Sequence, residues 1–291
     1  MYADEFDIDA ELVRRLIAGQ FAEWADLPID RVEPAGTDNA VYRLGANLAV
    51  RLPRIESASD SPVAEHRWLP KLAPLLPLAI PEPIALGEPT DEYPWNWTVC
   101  RWLEGETAMI DRITDPHQAA LDLAAFIAAL ERIDPAGGPP PDGRGGPIAE
   151  RDEWMHQAMA TLGDSIEVGA VTAIWELALE VPEWTDSPVW IHGDLDSRNM
   201  LVQRGRFSGV LDFGTMAVGD PACDVMVAWK LLPASARGTL RSALSVDDAT
   251  WARARGWVLS QSLIALAYYT METNPTLFTE CERWLVEVLA D

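Results

Sequence analysis

Lysine is almost missing from this chain: it stands at Lys71 and Lys230 only, and every other basic side chain apart from histidine is arginine. A phosphate loop of the form Gly-x-x-x-x-Gly-Lys-Ser/Thr is excluded, because neither lysine has that context. Cysteine is scarce as well. Cys100, Cys223 and Cys281 are odd in number and far apart, which suits neither a disulfide framework nor a zinc site and predicts a reducing, cytoplasmic setting. Positive charge is outnumbered, 22 basic against 46 acidic side chains, giving a formal net charge of −24. Attachment to nucleic acid or anionic membrane through bulk charge is thereby excluded, and the field favours cationic partners. Long apolar runs are absent too: the most apolar stretch, Leu72 to Leu86, is cut by Pro74, Pro77, Pro81 and Pro83. With an acidic Met1 to Glu5 where a secretory signal would be basic, neither a membrane span nor a signal peptide is expected.

What is present divides the chain. At 291 residues and 48% hydrophobic, it holds more apolar material than one core takes up comfortably, which predicts two lobes. Apolar spacing predicts a helix over Ala10 to Trp24 with Asp9 as cap. Strands follow at Arg31 to Glu33, Val41 to Leu44 and Leu48 to Leu52, and a helix at Pro62 to Leu69 is stopped by Pro70. A strand at Trp95 to Trp102 leads to the lobe boundary, giving lobes of residues 1–103 and 104–291. The second lobe reads as mainly helical: Pro116 to Ile133, Glu150 to Leu162, Gly169 to Leu179, Ala222 to Leu232, Asp247 to Glu272 and Leu277 to Leu289. Within it lie a Gly/Pro-rich loop, Asp134 to Gly143, and one hairpin, Met200 to Val202 with Ser208 to Leu211.

The chemistry gathers around that hairpin. Asp194 precedes Asn199 by five residues, and Asp212-Phe213-Gly214 begins thirteen residues after Asn199. Phosphoryl transfer uses such a set: one carboxylate to orient an attacking hydroxyl and take its proton, an amide and a second carboxylate to hold Mg²⁺ on the phosphates.

At these residues the chain resembles the aminoglycoside phosphotransferase family, which shares the protein-kinase-like fold. The family pattern His-Gly-Asp, four residues, Asn stands here as His192-Gly193-Asp194, Leu195 to Arg198, Asn199. It is followed by Asp212-Phe213-Gly214 and by Gly219-Asp220-Pro221-Ala222-Cys223-Asp224. The resemblance covers most of the chain and implies an α+β, bilobal fold, an N-terminal antiparallel sheet lobe followed by a mainly helical C-terminal lobe. It implies Asp194 as catalytic base, Asn199 and Asp212 as Mg²⁺ ligands, and ATP or GTP as donor to a hydroxyl of a small molecule.

The first lobe should then supply a strand cation for the phosphates, held by a helical glutamate. Arg51 in Ala49-Val50-Arg51-Leu52-Pro53 is the candidate, with Glu65 as its partner; arginine can bond phosphate bidentately and stays charged. Gly36-Thr37-Asp38-Asn39 sits where a phosphate-covering turn belongs, and is also an ordinary β-turn sequence. By the same resemblance, Trp102 and Leu103 form the hinge whose backbone would bond a purine. Asp196 stands where protein kinases often carry lysine, which argues against a protein acceptor and offers a carboxylate to an ammonium group. Glu150, Asp152 and Glu153 could join such a site, or simply favour a helix N-terminus. His192 reads as a loop brace, Asp220 before Pro221 as a helix cap, most tryptophans as core, and His66, His117 and His156 as uninvolved. An aminoglycoside-type acceptor follows from the resemblance and the acidic balance together. Kinases of macrolides, amino alcohols or metabolites, and a non-catalytic nucleotide-binding regulator, are the alternatives.

Overall fold

Asp9 accepts a hydrogen bond from Leu12 N (2.7 Å) and starts helix α1 (Ala10–Gln20), whose Leu12, Val13, Leu16 and Ile17 form one buried stripe. It ends earlier than the apolar spacing suggests, since Ala22–Trp24 is a separate 3₁₀ turn. The protein is seen here in a computed structural model that describes residues 5–32, 38–108 and 112–291. These form two units, one of residues up to Gly105 together with Gly209–Gly214, the other of the remainder.

In the first unit, strands β1 (Ile29–Arg31), β2 (Asn39–Leu44) and β3 (Leu48–Pro53) precede helix α2 (Ser61–Leu72) and strands β4 (Pro83–Gly87) and β5 (Trp97–Arg101). All pair antiparallel in the order β1-β2-β3-β5-β4. The stripe of α1 packs with Tyr42, Leu44, Val50, Leu52, Trp97 and Val99. Because side chains alternate along a strand, Val50 and Leu52 entering this core sends Arg51 to the opposite face, the side on which Glu65 of α2 meets it. Two expectations change. Pro70 does not stop α2, which runs on to Leu72: a proline near the end of a helix removes one hydrogen bond without preventing a last turn. Strand β4 was hidden among prolines; Pro83 is tolerated because it opens an edge strand, where a missing N–H costs no ladder bond. The expected strand at Arg31 to Glu33 falls two residues earlier, and Glu33 lies outside the described residues.

The second unit contains β6 (Glu106–Thr107), α3 (Pro116–Glu131), α4 (Asp152–Leu162), α5 (Val168–Glu180), β7 (Val189–Ile191), β8 (Met200–Gln203), the first three residues of β9 (Arg206–Val210) and β10 (Ala217–Gly219). Helices α6 (Ala222–Val225), α7 (Val227–Leu231), α8 (Ala234–Leu244), α9 (Asp248–Tyr268) and α10 (Pro275–Leu289) complete it. Arg204 and Gly205 both have positive φ (54° and 75°), as a two-residue hairpin turn between β8 and β9 requires. The pairing of β10 with β7 sets Ala217 opposite Ile191, which brings Thr215 beside the His192-Gly193 step. Helix α9 is capped by Asp247 and surrounded by α4, α5, α6 and α10. Ala254, Trp257, Val258, Ser260, Ser262 and Leu263 are all buried along it, so no single apolar stripe marks it in the sequence. The single helix expected over Ala222 to Leu232 is two short ones, α6 and α7, with the turn tightened by Trp229 N bonding Met226 O.

Glu131, in the last turn of α3, carries a pH-dependent cost. Burial and then the charge of Asp224 push its carboxyl up to about 7 from an ordinary 4.5, with Arg132 opposing. The folded chain therefore keeps a proton that the unfolded chain gives up, and stability falls as pH rises between 4.5 and 7. At pH 8 Glu131→Gln should be more stable than the parent by about 1–3 kcal/mol, a gap that narrows towards pH 5. Chemical denaturation at both pH values checks this, and a gap that does not change with pH would contradict it.

Candidate active site

In the first unit the ion pair expected between strand and helix is formed. Arg51 Nη1 bonds both carboxylate oxygens of Glu65 (2.7 and 2.6 Å). Its Nη2 bonds Asp212 Oδ1 at 2.7 Å, a contact the sequence reading did not anticipate. Burial works against the Arg51 charge, but Glu65 and Asp212 outweigh it and raise the guanidinium above its ordinary value. A guanidinium carries five N–H donors, more than these contacts use, so a phosphate can still be bonded. Asp212 has φ 60°, an uncommon left-handed setting for a residue with a side chain, and its carboxylate is 42% exposed with Oδ1 held by Arg51.

The remaining expectations for this unit fare unevenly. Gly36 and Thr37 lie outside the described residues. Asp38 accepts from Arg54 N through its carbonyl (2.8 Å). Asn39 is a correction: it is buried as the first residue of β2, not part of an open turn, because its strand pairing reaches Pro53. The Trp102 N–H donates to Asn47 O (2.8 Å), which leaves the Trp102 carbonyl and the Leu103 backbone as the hinge groups for a purine.

The second unit builds the loop around Asp194. Asp224, fully inside, accepts His192 N (2.7 Å) on one oxygen and Gly193 N (2.8 Å) on the other. Thr215 Oγ1 donates to His192 O (2.9 Å), and His192 Nδ1 accepts Asp194 N (3.1 Å), so the buried imidazole braces the loop. Gly193 is required here: φ is 83°, and a Cβ would lie 2.8 Å from the Thr215 carbonyl oxygen. Asp220 accepts Ala222 N (2.9 Å) and pairs with buried Arg253 (2.7 Å), a structural role.

Asp194 itself is ringed by donors. Arg144 Nη1 reaches Oδ1 at 2.5 Å and Lys230 Nζ reaches the same oxygen at 3.2 Å, while Asn199 Nδ2 lies 3.3 Å from Oδ2 and 2.9 Å from the Asp194 carbonyl. Burial alone would raise this carboxyl; Arg144, Lys230 and Arg198 outweigh it and hold Asp194 well below the usual carboxylate range. It is an anion at any physiological pH and a weak base.

Asp196 is a further correction. It is wholly buried, chelated by Arg198 (Nη2 to Oδ2 2.5 Å) and 3.9 Å from Lys230 Nζ, so it cannot greet an ammonium group on an acceptor. Its burial follows from the tight turn in which it accepts Arg198 N at 2.8 Å. Glu150 and Glu153 are exposed near the start of α4, whereas Asp152 accepts from Trp175 Nε1 (2.7 Å), partly spending its charge on packing. Three residues of this site went unassigned in the sequence. Arg144 was hidden in a Gly/Pro-rich loop, and Asp224 had no role of its own. Lys230 did leave a trace, a charge inside the apolar run Val225 to Leu232. Taken separately, Asn199 and Asp212 each offer a hard oxygen of the kind Mg²⁺ prefers: in the second unit the Asn199 amide nitrogen faces Asp194, which turns its carbonyl oxygen away, and in the first unit Asp212 keeps its second oxygen beyond the Arg51 contact. Among the described residues no cluster of three or more His, Cys, Asp or Glu forms a metal cage.

The family model described as "Phosphotransferase enzyme family" matches residues 31–257. A viomycin phosphotransferase of Streptomyces vinaceus is 28% identical over 195 residues, 62% of this chain and 67% of that one. An aminoglycoside 3'-phosphotransferase of Escherichia coli is 24% identical over 229 residues, 70% of this chain and 76% of that one. In fold, the chain is similar to the GDP and kanamycin complex of APH(2")-IIia, with a TM-score of 0.77 at 19% identity over 96% of this chain and 98% of the other.

Proposed function

We propose that this chain, which belongs to the phosphotransferase enzyme family, moves the γ-phosphoryl of ATP or GTP to a hydroxyl of a small molecule, an aminoglycoside-type antibiotic. The observation that carries this reading is the Asp194 carboxylate, kept anionic and oriented by Arg144, Lys230 and Asn199 inside the His192-to-Asn199 loop. So weak a base does not strip the hydroxyl in advance. It orients the nucleophile and takes the proton late, as bond formation to phosphorus makes the hydroxyl acidic. Most of the rate enhancement is then positioning and electrostatics. Arg51 bonds the phosphates and Glu65 keeps Arg51 in place. Asn199 and Asp212 would hold Mg²⁺, which when bound neutralises charge on the phosphates. The two curated relatives act, by their names, on viomycin and on aminoglycosides, which supports an antibiotic acceptor. With Asp196 withdrawn, exposed Glu150 and Glu153 and the net charge of −24 are what favours a cationic one.

The test is nucleoside diphosphate release with Mg²⁺ and ATP or GTP across aminoglycosides, macrolides and amino alcohols. Release that depends on an aminoglycoside supports the reading; release with macrolides alone, or with no acceptor despite nucleotide binding, opposes it. For the metal, Asp212→Asn should weaken Mg²⁺-dependent nucleotide binding by roughly 10- to 100-fold, the loss of one charged oxygen ligand. An unchanged Mg²⁺ titration would remove Asp212 from that role.

A further inference from the structure

Resting on the reading of Asp194 as base, we propose that Lys230 is a positioning residue for phosphoryl transfer. Its ammonium joins Arg144 in clamping Oδ1 of Asp194, so that Oδ2 is the oxygen presented to the acceptor hydroxyl.

A carboxylate is symmetric, and rotation about its last bond exchanges its two oxygens. Here the surroundings break that symmetry: two cations sit on Oδ1 at 2.5 and 3.2 Å, and one amide faces Oδ2 at 3.3 Å. Lys230 is built to hold this pose. Its side chain is fully buried, so no substrate can touch it, and burying an unpaired ammonium is costly. Its Nζ stands 4.6 Å from the centre of the Trp284 ring. The Lys230 backbone is fixed as well, its carbonyl accepting Trp284 Nε1 at 3.1 Å and also bonding Arg283. From the same helix, Glu280 accepts Ser197 Oγ (2.9 Å), so α10 backs both the lysine and the loop that carries Asp194. Charge balance for Asp196 does not account for the lysine, because Arg198 already chelates Asp196 and Lys230 lies closer to Asp194. Arg144, by contrast, comes from a loop and is 27% exposed, so the helical lysine is the stiffer half of the clamp.

The experiment uses the full chain with Mg²⁺, ATP or GTP, and kanamycin as acceptor, and compares wild type, Lys230→Met, Asp194→Ala and the double variant. Lys230→Met should lower kcat roughly 10- to 100-fold, the scale of a misplaced reacting group, with acceptor KM and nucleotide Kd within about threefold. A residue that works through Asp194 has nothing left to hold once Asp194 is gone, so in the Asp194→Ala background the further loss should be less than about twofold. An equal fold-loss in both backgrounds marks a merely structural lysine and overturns the proposal, as does an unaltered kcat. Should Lys230→Met fail to fold with its carboxylates unbalanced, Lys230→Met/Asp196→Asn removes one charge of each sign. That variant should still lose kcat relative to Asp196→Asn, and equal turnover of the two overturns the proposal. Full turnover in Asp194→Ala sinks the reading of the base itself, whereas full turnover in Lys230→Met beside a disabled Asp194→Ala sinks this inference alone.

Discussion

Replacing Asp194 by alanine is expected to lower kcat roughly 10²- to 10⁴-fold while leaving nucleotide affinity within a few fold. The size follows from what is lost. The substitution removes the group that orients the hydroxyl and receives its proton, worth roughly 3–5 kcal/mol of barrier, and leaves the first unit's Arg51, Glu65 and Asp212 untouched. It also frees two cations, Arg144 and Lys230, that would otherwise sit on the carboxylate. Single-turnover transfer and a nucleotide titration on the same variant separate the two effects. Near-normal turnover would take the role of base away from Asp194, and a parallel collapse of nucleotide binding would point to a general structural failure.

A comparable cost, this time in stability, is expected from Asp224→Ala. Asp224 is 1% exposed and satisfies two backbone donors, His192 N and Gly193 N, one on each oxygen. Alanine leaves both N–H groups buried without that partner, and each orphaned donor costs about 1–3 kcal/mol, so a loss of about 3–5 kcal/mol is expected. Burial raises the Asp224 carboxyl, with His192 and the two backbone donors opposing, which tempers the loss because part of the carboxylate's own desolvation cost disappears with it. Urea unfolding followed by tryptophan fluorescence measures the change. Turnover should fall too, since the step that aims Asp194 is the one Asp224 ties down. A variant with an unmoved unfolding midpoint would mean that the two N–H groups find other partners.

The legible part of this molecule was local. The runs Val41 to Leu44 and Leu48 to Leu52 announced β2 and β3, and the structure adds the face on which Arg51 stands, opposite Val50 and Leu52. Asp9 announced the start of α1 because a capping carboxylate acts within three residues of its target, and in the structure Asp115 and Asp247 cap α3 and α9 in the same way. Helix α9 left no stripe because it is buried on several faces, and the edge strand β4 was masked by prolines that an edge position tolerates.

In the site the dividing line falls in the same place. The spacing from His192 through Asn199 to Asp212, and the glycine that a left-handed turn demands at 193, are short-range properties that the order of residues settles. The partners that give Asp194 its charge state and its pose are another matter. Lys230, Arg144 and Asp224 meet this loop from 36, 50 and 32 residues away in the chain. Nothing in a local pattern states that Asp196 would be spent on Arg198 and Lys230 rather than offered to an acceptor. Such pairings are chosen when helices and loops close around buried charge. Leaving a carboxylate or an ammonium alone in that interior costs more than any local preference of the backbone supplies.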